Sequence, residues 1–142
     1  MKDMTSMLRK IQEQADCHAT TDPLRELSDI ESEPDRQQVA PKWLALAALH
    51  GVNANAKWIS LGTDENGDVT VVAKYRKSEL PAPSEETAEN VFNTVREVGH
   101  FDKETGRIPV SLGIRDSTVD IDFELEKEKG GERLTMKFRK EK

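Results

Sequence analysis

Cysteine is almost absent from this sequence. Cys17 is the single cysteine among 142 residues, which excludes an internal disulfide and a cysteine-rich zinc site. The sequence also lacks a run of about 18 apolar residues, the length that a membrane-spanning helix needs. The opening residues MKDMTSMLRKIQEQAD contain no apolar signal-peptide core. With one thiol and no export signal, we expect a cytoplasmic protein.

Common binding motifs are missing as well. Aromatic residues make up 5% of the chain and are not interleaved with basic residues as in proteins that bind single-stranded nucleic acid. The phosphate-binding patterns GxxxxGK and GxGxxG and the catalytic patterns GxSxG and HExxH are absent. The 21 basic and 27 acidic residues give a formal net charge of −6. We therefore expect no nucleic acid, no membrane surface and no cofactor as a partner.

What is present indicates one modest core under a heavily charged surface. Hydrophobic residues make up 35% of the chain and charged residues 34%. The length fits one domain. Aromatic side chains are expected mostly in that core, namely Trp43, Trp58, Tyr75, Phe92, Phe123 and Phe138.

The first 35 residues are predicted to form a helical segment. Apolar residues recur at helical spacing at Met4, Met7, Leu8 and Ile11. Asp22-Pro23 has the N-cap and first-turn residues of a second short helix. Residues 28–35 are acidic and almost free of apolar side chains. We therefore expect residues 1–35 to be loosely attached to a single α+β domain over residues 36–142.

Two longer helices are predicted within that domain. The first has Pro41 in its first turn, is rich in alanine and leucine, and ends at Gly51. The second is capped by Ser84 and ends at Gly99. Its apolar stripe consists of Ala88, Val91, Phe92, Val95 and Val98.

Asn66-Gly67 lies between two apolar runs and predicts a β-hairpin. With these two residues as the loop, the strands cover residues 56–62 and 69–77. The aligned pairs are Trp58 with Tyr75 and Leu61 with Val72.

Three alternating runs at residues 108–114, 119–125 and 134–138 predict a meander. A turn at Gly130-Gly131 fits both the apolar and the charged pattern of the last two strands. The pairs that this register aligns are Phe123 with Phe138, Leu125 with Met136, Asp122 with Arg139, and Glu124 with Lys137. Pro109 cannot donate a ladder hydrogen bond, so it indicates an edge strand or a bulge.

The predicted order is helices, hairpin, helix and three-stranded meander. This is an α+β fold with an antiparallel sheet of about five strands and helices on one face. The order of elements resembles that of the nuclear-transport-factor-2-like superfamily, in which helices cap a curved sheet. That resemblance implies a pocket between the helix over residues 84–98 and the sheet.

Several residue groups invite a chemical interpretation, but each has a simpler structural one. Asp64, Asn66 and Asp68 match the first ligands of a calcium loop, whose later positions are missing, so we favour a turn. Cys17-His18 is an adjacent thiol and imidazole without an orienting group.

The other two histidines also have structural explanations. His50 is expected at a helix C-terminus, which stabilises a cationic imidazole. His100 precedes the acidic residues Asp102 and Glu104, but no metal-ligand spacing is diagnostic there. We favour a polar loop for residues 100–106.

An alternating row of acidic residues marks one face of a predicted strand. Its members are Asp120, Asp122, Glu124, Glu126 and Glu128. The row is typical of a solvated sheet face, since catalytic carboxylates work as a pair with separated pKa values. The alternative is a partner-binding surface at Asp120, Asp122, Glu124 and Glu126.

The leading functional hypothesis is therefore a non-enzymatic protein-interaction module, such as an adaptor, a chaperone or an inhibitor. The alternative is a small-molecule-binding or enzymatic domain with a helix-capped curved sheet. Homodimerisation is a third hypothesis, through the edge near Pro109 or through the stripe from Met4 to Ile11.

Overall fold

In the part of the chain that the structure describes, four α-helices, one 3₁₀ turn and five strands form the fold. The computed structural model of the chain describes residues 4–73, 81–99, 105–114, 117–128 and 130–139. The helical elements are α1 (Met4–Cys17), α2 (Pro23–Ser28), the 3₁₀ turn (Ile30–Ser32), α3 (Arg36–Ala54) and α4 (Glu85–Gly99). The strands are β1 (Trp58–Thr63), β2 (Val69–Ala73), β3 (Gly106–Ile114), β4 (Ser117–Glu128) and β5 (Gly131–Phe138).

The five strands form one antiparallel sheet in the order β2-β1-β5-β4-β3. The helices pack on one of its faces, with α1 against β3 and α3 and α4 across the centre. Alternate residues point to this inner face, where the buried side chains are Ile59, Leu61, Val71, Val110, Leu112, Ile114, Ile121, Phe123, Leu125, Leu134 and Met136. The predicted α+β fold is thus confirmed.

The helix α3 begins earlier than predicted. Asp35 is its N-cap and accepts a hydrogen bond from the Gln37 N–H at 3.1 Å. Pro41 therefore lies inside the helix, where its ring removes one backbone hydrogen bond. Residues 43–51 are all buried, and their packing stabilises the helix despite that loss.

The same helix also ends later than predicted. It continues through Gly51 to Ala54, and Asn55 terminates it in the left-handed conformation with φ 56°. Gly51 is required for packing rather than for capping. A Cβ atom there would lie 2.6 Å from Cε2 of the Phe138 ring.

The β1–β2 hairpin forms, but the predicted register is wrong by one residue. Leu61 pairs with Val71 rather than with Val72. Val72 points to the opposite face and is 39% exposed. Tyr75, the predicted partner of Trp58, lies outside the described residues.

The one-residue error in the predicted register of the β1–β2 hairpin comes from the length of its turn. The Asp64 N–H donates to the Asp68 carbonyl at 3.1 Å, and the Gly67 N–H donates to the Asp64 carbonyl at 3.0 Å. The loop therefore has three residues, 65–67. Gly67 has φ +82°, whereas Asn66 does not adopt a positive φ, so the two-residue turn that needs both is not formed.

The predicted register of the β4–β5 hairpin is wrong by two residues. Phe123 pairs with Met136 rather than with Phe138, and Leu125 pairs with Leu134. A shift of two residues keeps every side chain on its predicted face, because strand alternation has a period of two. The apolar and charged patterns therefore fit both registers equally well.

The turn between β4 and β5 explains the two-residue error in the predicted register. Glu128 pairs with Gly131, so Gly131 already belongs to β5 instead of to the turn. Gly130 has φ +79°, a backbone conformation that favours glycine.

Pro109 lies in β3, which is an edge strand as predicted. A second feature also protects this edge. The side-chain amide of Gln12 in α1 donates to the Gly113 carbonyl at 2.8 Å and accepts from the Gly113 N–H at 2.8 Å. Pro109 and Gln12 thus remove backbone groups that a further strand would need.

The buried aromatic core is smaller than predicted. Trp43, Phe92 and Phe123 are almost fully buried. Trp58 and Phe138 are only partly buried. Trp58 differs because it points to the sheet face that the helices leave open.

The N-terminal segment contributes to the same core. Ile11, Ala15, Leu27 and Ile30 are buried in the apolar cluster that also holds α3 and α4. Asp22 caps α2 through the Leu24 N–H at 3.2 Å, as the sequence indicates. The loose attachment of residues 1–35 stays a prediction.

Candidate functional site

The candidate site is the outer face of the sheet, opposite the helices. Strand alternation places the acidic row of β4 there, beside basic residues of β3 and β5. The outer-face residues are Thr70, Val72, Trp58, Ser60, Gly62, Arg133, Thr135, Lys137, Asp120, Asp122, Glu124, Glu126, Arg107, Pro109 and Ser111.

Glu124 lies at the centre of an ion-pair network on this face. Its Oε2 atom is 3.1 Å from Lys137 Nζ on β5 and 3.5 Å from Arg107 Nη1 on β3. The Glu124 side chain is 17% exposed, whereas both cations are more than half exposed. Two flanking strands therefore neutralise the middle of the acidic row.

Asp122 is held by Arg139, which follows β5. Arg139 Nε donates to Asp122 Oδ2 at 3.1 Å, and its Nη2 donates to Oδ1, so the pair is bidentate. The hydrogen bond from Arg139 lowers the pKa of Asp122 below its ordinary value, against a smaller opposing effect of burial. Both ion pairs predicted from the sequence thus form, although as diagonal neighbours in the corrected register.

The two ends of the acidic row are more open. Asp120 is exposed and accepts a hydrogen bond from the Ser111 hydroxyl at 2.7 Å. Glu126 is exposed and lies opposite Arg133 in the register. The structure describes no Glu128 side chain, so the fifth member of the row lies outside the described set.

Arg133 and Trp58 extend the candidate site onto β1. Arg133 Nη1 donates to Ser60 Oγ at 2.8 Å, so its guanidinium lies across that strand and leaves Ser60 only 3% exposed. Trp58 is half-buried beside Lys137 in the register, and Val72 is exposed on β2. Sequence analysis did not place Arg133 or Trp58 on this surface. For Trp58 the available signal was its alternation with Ser60 and Gly62, which puts all three residues on one face of β1.

The interior beneath α4 is filled by apolar side chains. Ala88, Val91, Phe92, Val95 and Val98 are each 0% exposed. The buried polar side chains of the described residues are His50, Ser60, Thr87 and Thr94, and Ser60 lies on the outer face. A cavity of about 330 Å³ does lie between the first turns of α4 and the end of the sheet, and its lining includes Glu85, Glu89, Thr63, Lys127 and Glu132. This lining is charged and polar, whereas most small-molecule pockets are mainly apolar.

A groove of about 550 Å³ lies at one end of the sheet. It is bordered by the C-terminal end of α3, the start of β4 and the end of β5. Its lining combines apolar Val52, Val119 and Phe138 with polar Asn55 and Asp120. Asp120 therefore borders both this groove and the outer face.

The turn at Asp64 is explained by its backbone. Asp64 Oδ1 accepts hydrogen bonds from the N–H groups of Asn66 and Asp68, each at 2.9 Å. The segment is thus a turn, as favoured from the sequence, but an Asx-type turn rather than the predicted two-residue Asn-Gly turn. Among the described residues, no three His, Cys, Asp or Glu side chains gather as a metal-binding group.

Cys17 is the last residue of α1, and His18 follows it. Cys17 is exposed. The cationic His50 expected at a helix end is a wrong prediction, because α3 continues past it and burial lowers its pKa, against a smaller opposing effect of Asp22. His100, with Asp102 and Glu104, lies outside the described residues.

Glu31 makes a polar contact that sequence analysis missed. It connects the N-terminal segment to the start of α4. Its carboxylate accepts from the Ser84 N–H at 2.8 Å and from the Thr87 hydroxyl at 3.0 Å. Burial raises the pKa of Glu31, but hydrogen bonds from Ser84, Thr87 and Arg36 outweigh this and hold it below the ordinary value of 4.5.

We expect this carboxylate to stabilise the fold above about pH 4.5 and to lose that effect as the pH falls through its lower folded pKa. Glu31→Gln should therefore be less stable than wild type near neutral pH, and the difference should shrink in acid. Urea unfolding of wild type and Glu31→Gln, from neutral pH down through pH 4.5, measures this difference in the free energy of unfolding. Glu86→Gln is the control, because the Glu86 side chain is 78% exposed and its ion pair with Arg36 is long, at 3.9 Å. An equal difference between wild type and Glu31→Gln at all pH values contradicts the prediction.

The described features define a class of protein, a two-layer α+β domain with one open sheet face. Comparison of the sequence with protein-family models and with curated proteins found no match. Of the helices that the structure describes, none has both the length and the apolar character to cross a bilayer.

Proposed function

We propose that this protein is a non-enzymatic protein-binding module that uses the outer face of its sheet. The observation that carries the proposal is that no described helix covers this five-stranded face, which bears fixed charges and a half-buried tryptophan. The exposed thiol of Cys17 fits a reducing compartment, so we place the protein in the cytoplasm.

The charges on this face are preorganised. Asp122 and Glu124 are already held by basic residues of neighbouring strands. A partner therefore meets side chains whose positions are restrained, which reduces the entropy lost on binding. Charge patterns of this kind act mainly on specificity and on association rate.

Trp58 supplies the apolar part of the surface. Tryptophan is enriched among the residues that contribute most to protein interfaces, and Trp58 is partly exposed beside the charged rows. Val72 and Pro109 add exposed apolar surface on either side. The apolar interior beneath α4 and the charged lining of the cavity at its start support this function over the small-molecule alternative.

Affinity capture with matched variants tests the proposal. Wild type, Trp58→Ala, Glu126→Lys and the control Glu89→Lys serve as baits in native lysate, each after its folding is checked by circular dichroism. Glu89 is an exposed acidic residue on α4, so its reversal matches the charge change away from the face. We expect a protein recovered by wild type and control to be depleted about tenfold or more by Trp58→Ala, since interface tryptophans often contribute about 2 kcal/mol or more.

The captured protein is then purified and titrated against the same variants. Binding that persists unchanged in Trp58→Ala and Glu126→Lys contradicts the assignment of the outer face. Failure of the wild type to capture any protein at low and at moderate salt, together with a chain that stays monomeric at high concentration, contradicts the binding function itself.

A further inference from the structure

The charges on the outer face form adjacent stripes of opposite sign. β5 contributes Arg133 and Lys137, and the neighbouring β4 contributes Asp122, Glu124 and Glu126. Adjacent strands are about 4.8 Å apart. A uniformly basic partner would therefore be attracted by the acidic stripe of β4 but repelled by the basic stripe of β5. A uniformly acidic partner would meet the reverse.

The sheet register aligns these residues in rows across the strands. Trp58, Lys137, Asp122 and Pro109 follow one another in one row. In a second row, Arg133 lies beside Glu126. The first row is self-complementary, because its two inner members carry opposite charges and its two outer members are apolar.

We infer that this face docks a second copy of the same chain, face to face. The inference rests on the proposed function and names its partner. A two-fold axis parallel to the strands, above the boundary between β4 and β5, brings Lys137 of one copy over Asp122 of the other. The same rotation brings Trp58 over Pro109 and Arg133 over Glu126.

This arrangement gives Lys137, Asp122, Arg133 and Glu126 an additional opposite charge while their own strand neighbours stay in place. Glu124 keeps Lys137 and Arg107 of its own chain. Every contact occurs twice, as a closed two-fold interface requires. The opposite stripes thus favour an identical chain over a partner of one charge sign.

The size of the face sets the expected affinity. The four strands that this axis pairs, about 4.8 Å apart and about seven residues long, give a face of about 20 Å by 20 Å. This is about half of the 800 Å² per partner in a standard stable interface. We therefore expect a weak dimer, half-formed at about 10–100 µM and weakened by salt.

Sedimentation velocity of the full chain tests the inference, with samples from about 5 to 500 µM so that both sides of the expected midpoint are covered. Wild type should shift from monomer to dimer, and its dissociation constant should rise about tenfold between low and high salt. Glu126→Lys should weaken the dimer by about tenfold because it opposes Arg133 of the second copy. The matched reversal Glu89→Lys, on the helical side, should leave the dimer unchanged.

Two results overturn the inference. One is a wild type that stays monomeric over the whole concentration range at low salt. The other is a dimer that Glu126→Lys and Glu89→Lys affect equally, which places the interface elsewhere. In either case a different protein captured by wild type and lost by Trp58→Ala still supports the proposed function, so the two proposals fail separately.

Discussion

Gly131→Ala is expected to lower the free energy of unfolding by about 2–3 kcal/mol, because it overpacks a site formed by backbone. Gly131 begins β5 and approaches the backbone of β1 at Thr63. A Cβ atom at Gly131 would overlap the Thr63 carbonyl oxygen and lie 2.6 Å from the carbonyl carbon. Backbone atoms in a paired strand cannot rotate away as a flexible side chain can.

The surroundings leave no easy route for relaxation. The Glu132 N–H donates to the Thr63 hydroxyl at 3.2 Å, which ties the two strands together beside the glycine. The same added atom would lie 3.1 Å from the Asp64 Cα. Relief therefore requires β1 and β5 to separate, with loss of ladder hydrogen bonds.

Gly113→Ala is the matched control for this substitution. A Cβ atom at Gly113 in β3 meets only ordinary contacts, at 3.7 Å from the side-chain amide of Gln12. We expect a change within about 1 kcal/mol, since alanine also lowers the entropy of the unfolded chain. Urea unfolding of both variants measures the difference. Equal stabilities for the two variants would show that β1 and β5 do not approach as closely as described.

Phe92→Ala is expected to cost about 3–5 kcal/mol, the usual range for removing a buried aromatic side chain. Phe92 lies at the centre of the α4 stripe and is 0% exposed. Its neighbours on the same face, Val91 and Val95, are also 0% exposed. The cost combines lost burial with a cavity that these packed neighbours fill only in part.

Ordinary domains have a free energy of unfolding of about 5–15 kcal/mol, so the loss predicted for Phe92→Ala is a large fraction of it. Phe92→Leu should recover most of the stability, because it restores most of the volume. Val72→Ala is the exposed control and should change stability by about 0.5 kcal/mol or less. A loss of stability in Phe92→Ala no larger than in Val72→Ala would contradict the packing of α4 on the sheet.

The order of the elements and the inner faces of β4, β5 and α4 could be read from local patterns. The alternation in β4 and β5 and the helical spacing in α4 each have one periodicity, which is enough to assign type and buried face. The hairpin registers could not be read in the same way. A shift of two residues preserves every face, and Asn66-Gly67 suits either a two-residue or a three-residue loop.

The candidate site also has one part that the sequence predicts and one part that depends on the tertiary structure. The alternation of β4 places Asp120, Asp122, Glu124 and Glu126 on one face, and this follows from the period of a strand. The network around them depends on which strands become neighbours. The sequence predicted the pair of Glu124 with Lys137 of β5, but it did not predict that Arg107 of β3 lies 3.5 Å from the same carboxylate.

By itself, the sequence determined the fold class and the faces of β4, β5 and α4, and it limited Pro109 to an edge strand or a bulge, because periodicity and turn chemistry act over a few residues. Tertiary structure alone decided that Gln12 binds the β3 edge, that Glu31 contacts the start of α4, and that Trp58 lies beside charged rows. These contacts join residues far apart in the chain. Local propensity carries no information about them, since they depend on how helices and strands pack together.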